Sequence, residues 1–317
     1  MNITDNKLAV KTEGLTKSFN ALEAVKQMDL VVPKGEMFGL VGPDGAGKST
    51  AIRLLCGILT PTSGKGWVAG FDLEKERQSV KSRIGYLSQN FTLYGDLTVD
   101  ENIAFFARIH GVNSFAARRN ELLEFTRLAP FRTRLAQALS GGMKKKLALA
   151  CTLIHTPEII FLDEPSTGVD PVSRGELWNI LNSILNQGVT VFMTTPYLDE
   201  AERCHRISLM HRGKIIMTGA PAEIKKAMPG AVYDLQCPDA PTAYRLLRTK
   251  LPATSLVLYG DRLRLWTDKG PQDARETITW LAHENIQNVS ITDAEPSLED
   301  AFVALLGKRQ SEEDSRG

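Results

Sequence analysis

The sequence predicts an α/β protein built on a parallel sheet, followed by a smaller α+β unit. Three observations carry that reading. Short apolar segments at Met37–Val41, Ile159–Leu162 and Val189–Met193 alternate with stretches of helical period, the order that generates a parallel sheet. Residues 42–49 have the glycine spacing of a phosphate-binding turn, with a strand before it and a helix after it. Beyond Pro229-Gly230 the pattern becomes β-α-β-β-α-β, the order of a split βαβ, ferredoxin-like unit.

The bulk properties agree. At about 150 residues per domain, a chain of 317 residues is expected to form two domains, one larger than the other. A content of 43% hydrophobic and 24% charged residues excludes wholesale disorder, collagen and coiled coil. Lys and Arg number 38 against 37 Asp and Glu, a net charge of +1, which is not the basic footprint of a nucleic-acid binder. Cys56, Cys151, Cys204 and Cys237 lie far apart without metal-ligand spacing, and read as buried thiols in a reducing compartment. The N-terminus MNITDNKLAV lacks the basic start and apolar core of a secretory signal. The longest apolar runs are strand-sized, well short of the roughly 20 residues that cross a bilayer, so any membrane role needs a partner to supply the span.

Along the chain, residues 8–33 alternate apolar and polar positions and break at Pro33-Lys34-Gly35, as short strands and a turn do. Met37–Val41 runs into the glycine-rich turn, then a helix from Lys48 to about Ile58, a loop at Thr60–Gly64 and a strand at Ile84–Leu87. From Leu97 the period shifts to about 3.6. Thr98-Val99-Asp100-Glu101 has capping-box spacing, and Ile103, Phe106, Ala107 and His110 follow on one face. With a further helix after Ser140-Gly141-Gly142 to about His155, residues 90–155 read as a helical subdomain. In the second unit the expected elements are strand Val232–Cys237, helix Pro241–Lys250, hairpin Ser255–Tyr259 with Arg262–Trp266, helix Asp273–Glu284, strand Val289–Thr292 and helix Ser297–Leu306. The domains are placed at 8–228 and 231–307, with a polar, disordered tail at 308–317.

Gly42-Pro43-Asp44-Gly45-Ala46-Gly47-Lys48-Ser49 fits GxxxxGK[ST], with Thr50 next on the helix, and so implies a P-loop NTPase. Glycines let backbone N–H groups close on phosphate oxygens, and the helix start adds its positive dipole end. Lys48 is expected to reach the β- and γ-phosphates and Ser49 to hold Mg²⁺. Ile159–Leu162 ends in Asp163-Glu164, where Asp163 suits Mg²⁺ and Glu164 is placed to activate the attacking water as a general base.

Between these motifs lies Leu139-Ser140-Gly141-Gly142-Met143. With that signature, the chain resembles the nucleotide-binding subunits of ABC transporters over roughly residues 8–225. The resemblance implies ATP with Mg²⁺ as the bound species. It implies that Phe19 stacks on adenine and that Gln89 senses Mg²⁺ and the attacking water. Asn90–Val99 would contact a membrane partner, and Asp170, in Ser166–Pro171, would reach across a dimer. Residues 139–143 would bind the γ-phosphate held by an opposing nucleotide-binding subunit, so that two such domains sandwich two ATP molecules. Ser140 and the amides of Gly141 and Gly142 suit that task, because they open a helix. Lys144-Lys145-Lys146 reads as a solvated helix face.

One position departs from the family. Where its members carry a switch histidine after the strand at 189–193, this chain has Pro196, in Thr194-Thr195-Pro196-Tyr197-Leu198-Asp199-Glu200. Proline offers no side-chain donor or acceptor and no N–H. His205 and His211 lie beyond the next helix and are not expected to substitute. The expectation is a site that binds ATP and hydrolyses it slowly. Ala294–Phe302 and Thr195–Cys204 resemble the drug and antibiotic exporter branch, and the loop with the altered switch is similar to the first nucleotide domain of tandem bacterial exporter ATPases. That branch implies a cytosolic, peripheral motor subunit with a separate permease, and a C-terminal dimerisation or regulatory domain. Homodimer and heterodimer stay open, with a second nucleotide domain expected on a separate polypeptide. A non-hydrolysing regulatory subunit is the alternative. A soluble ABC protein acting on ribosomes or DNA lacks its usual tandem domains or coiled-coil insert here.

Overall fold

The computed structural model describes residues 7–90, 93–251, 255–268 and 270–314, with side chains as far as Gly307. The chain divides into two compact units, residues 1–215 and 216–317.

The first unit opens with β1 (Leu8–Phe19), β2 (Leu22–Pro33) and β3 (Met37–Val41), followed by α1 (Lys48–Leu55). Helix α1 stops at Leu55, short of the expected Ile58, because Gly57 takes the left-handed backbone that ends a helix. Then come β4 (Ser63–Val68), β5 (Phe71–Asp72), α2 (Arg77–Arg83) and β6 (Ile84–Leu87). The helical stretch supplies α3 (Val99–Ile109), α4 (Ala116–Phe125) and α5 (Gly141–Leu153). The sheet resumes with β7 (Ile159–Asp163), α6 (Pro171–Asn186), β8 (Thr190–Thr195), α7 (Leu198–Ala201), β9 (Arg206–His211) and β10 (Lys214–Gly219). The sequence reading assigns no strand between Met193 and Pro229, so β9 and β10 are additions.

Two sheets result. Strands β2-β1-β4-β5 form an antiparallel sheet. A six-stranded sheet runs β10-β9-β3-β8-β7-β6, parallel from β9 to β6. Every residue of β3, β7 and β8 is buried, as in a parallel sheet covered on both faces. Their aromatic residues meet in the core, with Phe192 at 5.3 Å from both Phe38 and Phe161. Parallel strands bring their C-terminal ends to one edge, where such sheets hold ligands.

In the helical stretch, Thr98 Oγ1 accepts from Glu101 N at 3.2 Å and Glu101 Oε2 accepts from Thr98 N at 2.8 Å, the reciprocal cap its sequence predicts. Ile103 and Ala107 are buried, whereas His110 is exposed at the helix end and stacks on His155 at 3.8 Å. The reading of residues 144–146 as a solvated face is overturned. Only Lys144 is exposed. Lys146 is buried and ion-paired with Glu176 of α6, and Lys145 is half-buried over Gln89. Helix α5 packs between β6, α3 and α6, which leaves little of its surface for water.

The second unit carries α8 (Pro221–Lys226), β11 (Ala231–Gln236), α9 (Ala240–Leu247), β12 (Leu256–Tyr259), β13 (Arg262–Thr267), α10 (Pro271–His283), β14 (Ser290–Ala294) and α11 (Leu298–Asp314). Its sheet order is β12-β13-β11-β14 with every pair antiparallel. Leu235, Leu263 and Leu265 pack with Leu247 of α9 and Leu281 of α10 in a separate core. Arg264 of β13 bonds Asp300 of α11 at 2.8 Å, and α8 packs against α11, so this unit begins ahead of Pro229-Gly230. Helix α11 runs to Asp314 rather than ending at Leu306; Lys308, Arg309, Gln310 and Glu312 are adequate helix formers. Of the tail expected to be disordered, residues 315–317 lie outside the described residues. Among the described residues, no helix is long and apolar enough to cross a bilayer.

Candidate functional site

The turn between β3 and α1 is the base of the site. Gly47 has φ 105°, and a Cβ there would drive into the Ala24 carbonyl oxygen, so only glycine fits. Helix α1 then starts at Lys48 with no acidic residue in its first turn and no side-chain cap, leaving its N-terminal N–H groups for an anion. Lys48 is 4% exposed, and its Nζ donates to the carbonyls of Gly42 at 2.7 Å and Pro43 at 3.0 Å. An open cavity of about 810 Å³ lies over this loop. It is lined by Phe19 at the end of β1, by Asp44, Gly45, Gly47, Lys48, Ser49 and Thr50 of the loop and α1, and by Gln89, Glu164, Thr167, Pro196 and Tyr197. Gly42, Pro43 and Ala46 shape the turn without lining the cavity, Ala46 being buried. Phe19 stands at the rim, 45% exposed, with Lys17 Nζ 5.1 Å from its ring centroid. An exposed aromatic ring in that position suits base stacking.

Strand β7 delivers the carboxylates. Asp163 is fully buried, and its Oδ1 accepts from Thr194 Oγ1 at 2.6 Å and Ser49 Oγ at 3.1 Å. Its Oδ2 is buried with no hydrogen-bond partner among the described residues. A cation or a cation-bound water would satisfy that oxygen, so the residues present fit Mg²⁺. Glu164 has φ 50°, and this left-handed backbone is held by Thr194, whose O and Oγ1 both accept from Glu164 N. Its Oε2 accepts from Gln89 Nε2 at 2.8 Å and Thr167 Oγ1 at 3.3 Å, while Oε1 lies 3.6 Å from Lys48 Nζ. Lys48 is the ammonium beside Glu164, whereas Asp163 Oδ2 has no partner among the described residues and is left for a divalent cation.

Strand β8 delivers the switch segment. Pro196 lines the cavity directly. Behind it, Thr195 Oγ1 donates to buried Glu200 Oε2 at 2.8 Å and accepts from Tyr197 N at 3.0 Å. Neither neighbouring histidine lines the cavity. His205 Nδ1 accepts from Met37 N at 3.2 Å, at the start of β3 and thus at the opposite end of the sheet from the site.

Residues 139–143 do not line this cavity. Leu139 is buried and Ser140 caps α5, its Oγ accepting from Met143 N at 3.3 Å. At Gly142 a Cβ would strike the Ser173 hydroxyl, so the starts of α5 and α6 touch. Asp170 caps α6, with Oδ1 accepting from Val172 N at 3.1 Å and Ser173 N at 2.9 Å; the Ser173 hydroxyl, then these amides, hold its carboxyl below the usual range. Lys145 Nζ donates to Gln89 O at 3.3 Å. Burial pushes that ammonium down, while Glu164 and Asp163 pull it back up.

Sequence reasoning missed Thr167, Thr194, Thr195, Glu200 and Lys145. Each bonds a residue of the site rather than forming a motif of its own, Lys145 through the Gln89 carbonyl and the others through side chains; their adjacency to Glu164, Pro196 and Gly142 is the only signal the sequence holds.

A phosphate cradle at a helix start, facing paired carboxylates on the next strand but one, defines a P-loop nucleotide-binding protein. The family model described as ABC transporter matches residues 25–167. The chain is 39% identical, over 98% of its length, to the probable multidrug ABC transporter ATP-binding protein YbhF of Escherichia coli K12, of which it covers 54%. It therefore spans about half the length of that relative. It is 36% identical to the daunorubicin/doxorubicin resistance ATP-binding protein DrrA of Streptomyces peucetius, over 94% of this chain and 92% of that one. Among solved structures, a dimeric ATP-binding cassette in a post-hydrolysis state, bound to ADP and Pi, superposes with a TM-score of 0.60 at 25% identity, over 67% of this chain and 98% of that one. The chain belongs to the ATP-binding proteins of ABC transporters, a family of P-loop ATPases.

Proposed function

We propose that this chain is the ATP-hydrolysing motor subunit of an exporter of the multidrug or antibiotic type. It works at the cytoplasmic face of the membrane on a separate permease. The observation that carries the reading is the meeting of Lys48, Ser49, Asp163 and Glu164 at one phosphate loop. Phe19 stacks on the adenine, the loop amides and Lys48 take the phosphates, and Ser49, Asp163 and Gln89 hold Mg²⁺. When bound, Mg²⁺ neutralises charge on the β- and γ-phosphates. Glu164 takes the proton of the attacking water as the water oxygen bonds to the γ-phosphorus. The bond from phosphorus to the β-phosphate bridging oxygen breaks, its electron pair leaving with ADP.

Residues Leu139–Met143 complete the site of a second nucleotide-binding subunit, and Asp170 lies near that interface, so ATP closes the pair and closure drives the permease. The C-terminal unit serves dimerisation or regulation. Pro196 leaves the water without the orienting group that the family places there. Such a group contributes about 10²–10⁴ in rate, or roughly 3–5 kcal/mol of barrier, so the site on this chain's own loop turns over slowly. Pro196 also supports a second reading, a regulatory subunit that binds ATP without hydrolysing it.

Steady-state ATP turnover of the wild type and Glu164→Gln separates the two. A drop of at least tenfold in the variant supports the motor; equal rates support the regulatory subunit. Gentle solubilisation of membranes holding the tagged chain is expected to bring down a polytopic permease. Recovery of soluble partners alone would contradict the exporter reading.

A further inference from the structure

Glu164 sits in a pocket without a histidine, yet its carboxylate is gripped at both oxygens. Gln89 Nε2 and Thr167 Oγ1 donate to Oε2 at 2.8 and 3.3 Å. Lys48 Nζ lies 3.6 Å from Oε1. The backbone explains how a residue three positions along reaches back. Glu164 takes a left-handed φ of 50°, and Thr167 N donates to Glu164 O at 3.3 Å, closing a turn that curls the chain over its own carboxylate. The β-branched threonine has a stiff χ1, so its hydroxyl is delivered at little entropic cost. Thr167 also lines the cavity, as does Pro196.

We propose that Thr167 is a positioning residue for ATP hydrolysis, which with Gln89 fixes Glu164 in the absence of a switch histidine. This rests on the reading of Glu164 as the base. The geometry also distinguishes the two oxygens. When Lys48 turns to the phosphates, Oε1 loses its ion partner while Oε2 keeps both donors. Oε1 is then the oxygen that accepts the proton of the attacking water. Loss of the Thr167 hydroxyl lets the carboxylate rotate, so that Oε1 is presented for only part of the time.

The test compares kcat and KM for ATP with Mg²⁺ in the wild type, Thr167→Val, Thr167→Ser, Glu164→Gln and the double variant Glu164→Gln/Thr167→Val. Thr167→Val is expected to lower kcat about tenfold, the scale of one hydrogen bond to a charged group, with KM within twofold. Thr167→Ser restores most of it, which a loss of folding would not allow. On Glu164→Gln, the valine adds no further loss, because the two residues act as one unit. A wild-type kcat in Thr167→Val beside an inactive Glu164→Gln overturns the role of Thr167 alone. A wild-type kcat in Glu164→Gln overturns the reading of the base beneath it. A loss in Thr167→Val that serine does not restore, or one shared by KM, also overturns the positioning role.

Discussion

Strands β7 and β8 lie side by side, parallel and wholly buried, and deliver their last residues to the same edge of the sheet. At the tip of β7 stand Asp163 and Glu164, each engaged by several partners, with Asp163 Oδ2 left over for a cation. At the tip of β8 the support is equally complete. Thr194 holds both β7 carboxylate residues, and Thr195 bridges Glu200 and Tyr197. The first residue after β8 to line the cavity, however, is Pro196, with Tyr197 beside it. The scaffold of a switch segment and its proton-handling residue are separable: the threonine scaffold persists here while residue 196 has no side-chain hydrogen-bonding group. On the proposed function, a change at residue 196 is expected to act on hydrolysis and a change at the phosphate loop on binding.

The largest expected effect is at the phosphate loop, where Lys48 at the start of α1 meets Glu164 after β7. Lys48→Ala removes the buried ammonium that faces the phosphates, and is expected to weaken ATP binding by about 100-fold, on the order of 3 kcal/mol. Pro196→Ala should leave affinity within twofold, since proline makes no polar contact. Titration with a fluorescent ATP analogue reads both; equal losses would end the division of labour between the strands.

The two threonines of β8 give the next contrast. Thr195→Val strips buried Glu200 of the donor at 2.8 Å and should cost about 1–3 kcal/mol of stability, seen as a lower Tm, with nucleotide affinity kept. Thr194→Val acts on Asp163 instead, so it should weaken Mg²⁺-dependent nucleotide binding as well.

The smallest effect lies at the other end of the strands. His155 Nε2 bonds Ile84 O at 2.9 Å, at the start of β6. Burial, helped by His110, lowers its pKa from 6.5 to about 4. The unfolded chain therefore binds the proton first, and stability present above about pH 6.5 is lost as the pH falls towards 4. Between pH 7 and 5.5 the loss should be about 1 kcal/mol, read from urea midpoints and absent in His155→Gln. ATP affinity, corrected for the folded fraction, should not follow it.

The parts legible in the sequence are those where chemistry and local geometry share one contiguous segment. The loop at 42–49 and the pair at 163–164 announce themselves because a glycine spacing or a strand end is itself the structural requirement. The capping box at Thr98 is of the same kind. Lys146 was misread because its partner Glu176 lies 30 residues away on another helix, and no pattern within 144–146 encodes that packing. Thr167 and Glu200 carry ordinary residue types, whose significance arises only when a turn or a strand brings them against a buried carboxylate or hydroxyl. Strands β9 and β10 are as long as β8, but Ser208 interrupts the apolar run of β9 and β10 is mostly half-buried, so neither reads as a continuous core strand.

Pro196→His restores an imidazole at the position that follows β8. Pro196→His and the wild type are compared for ATP turnover and for affinity towards a fluorescent ATP analogue. The account predicts turnover raised by at least tenfold, with affinity changed by less than twofold. Turnover that stays at the wild-type level while the nucleotide binds as before would contradict it, placing the limit on hydrolysis somewhere other than residue 196.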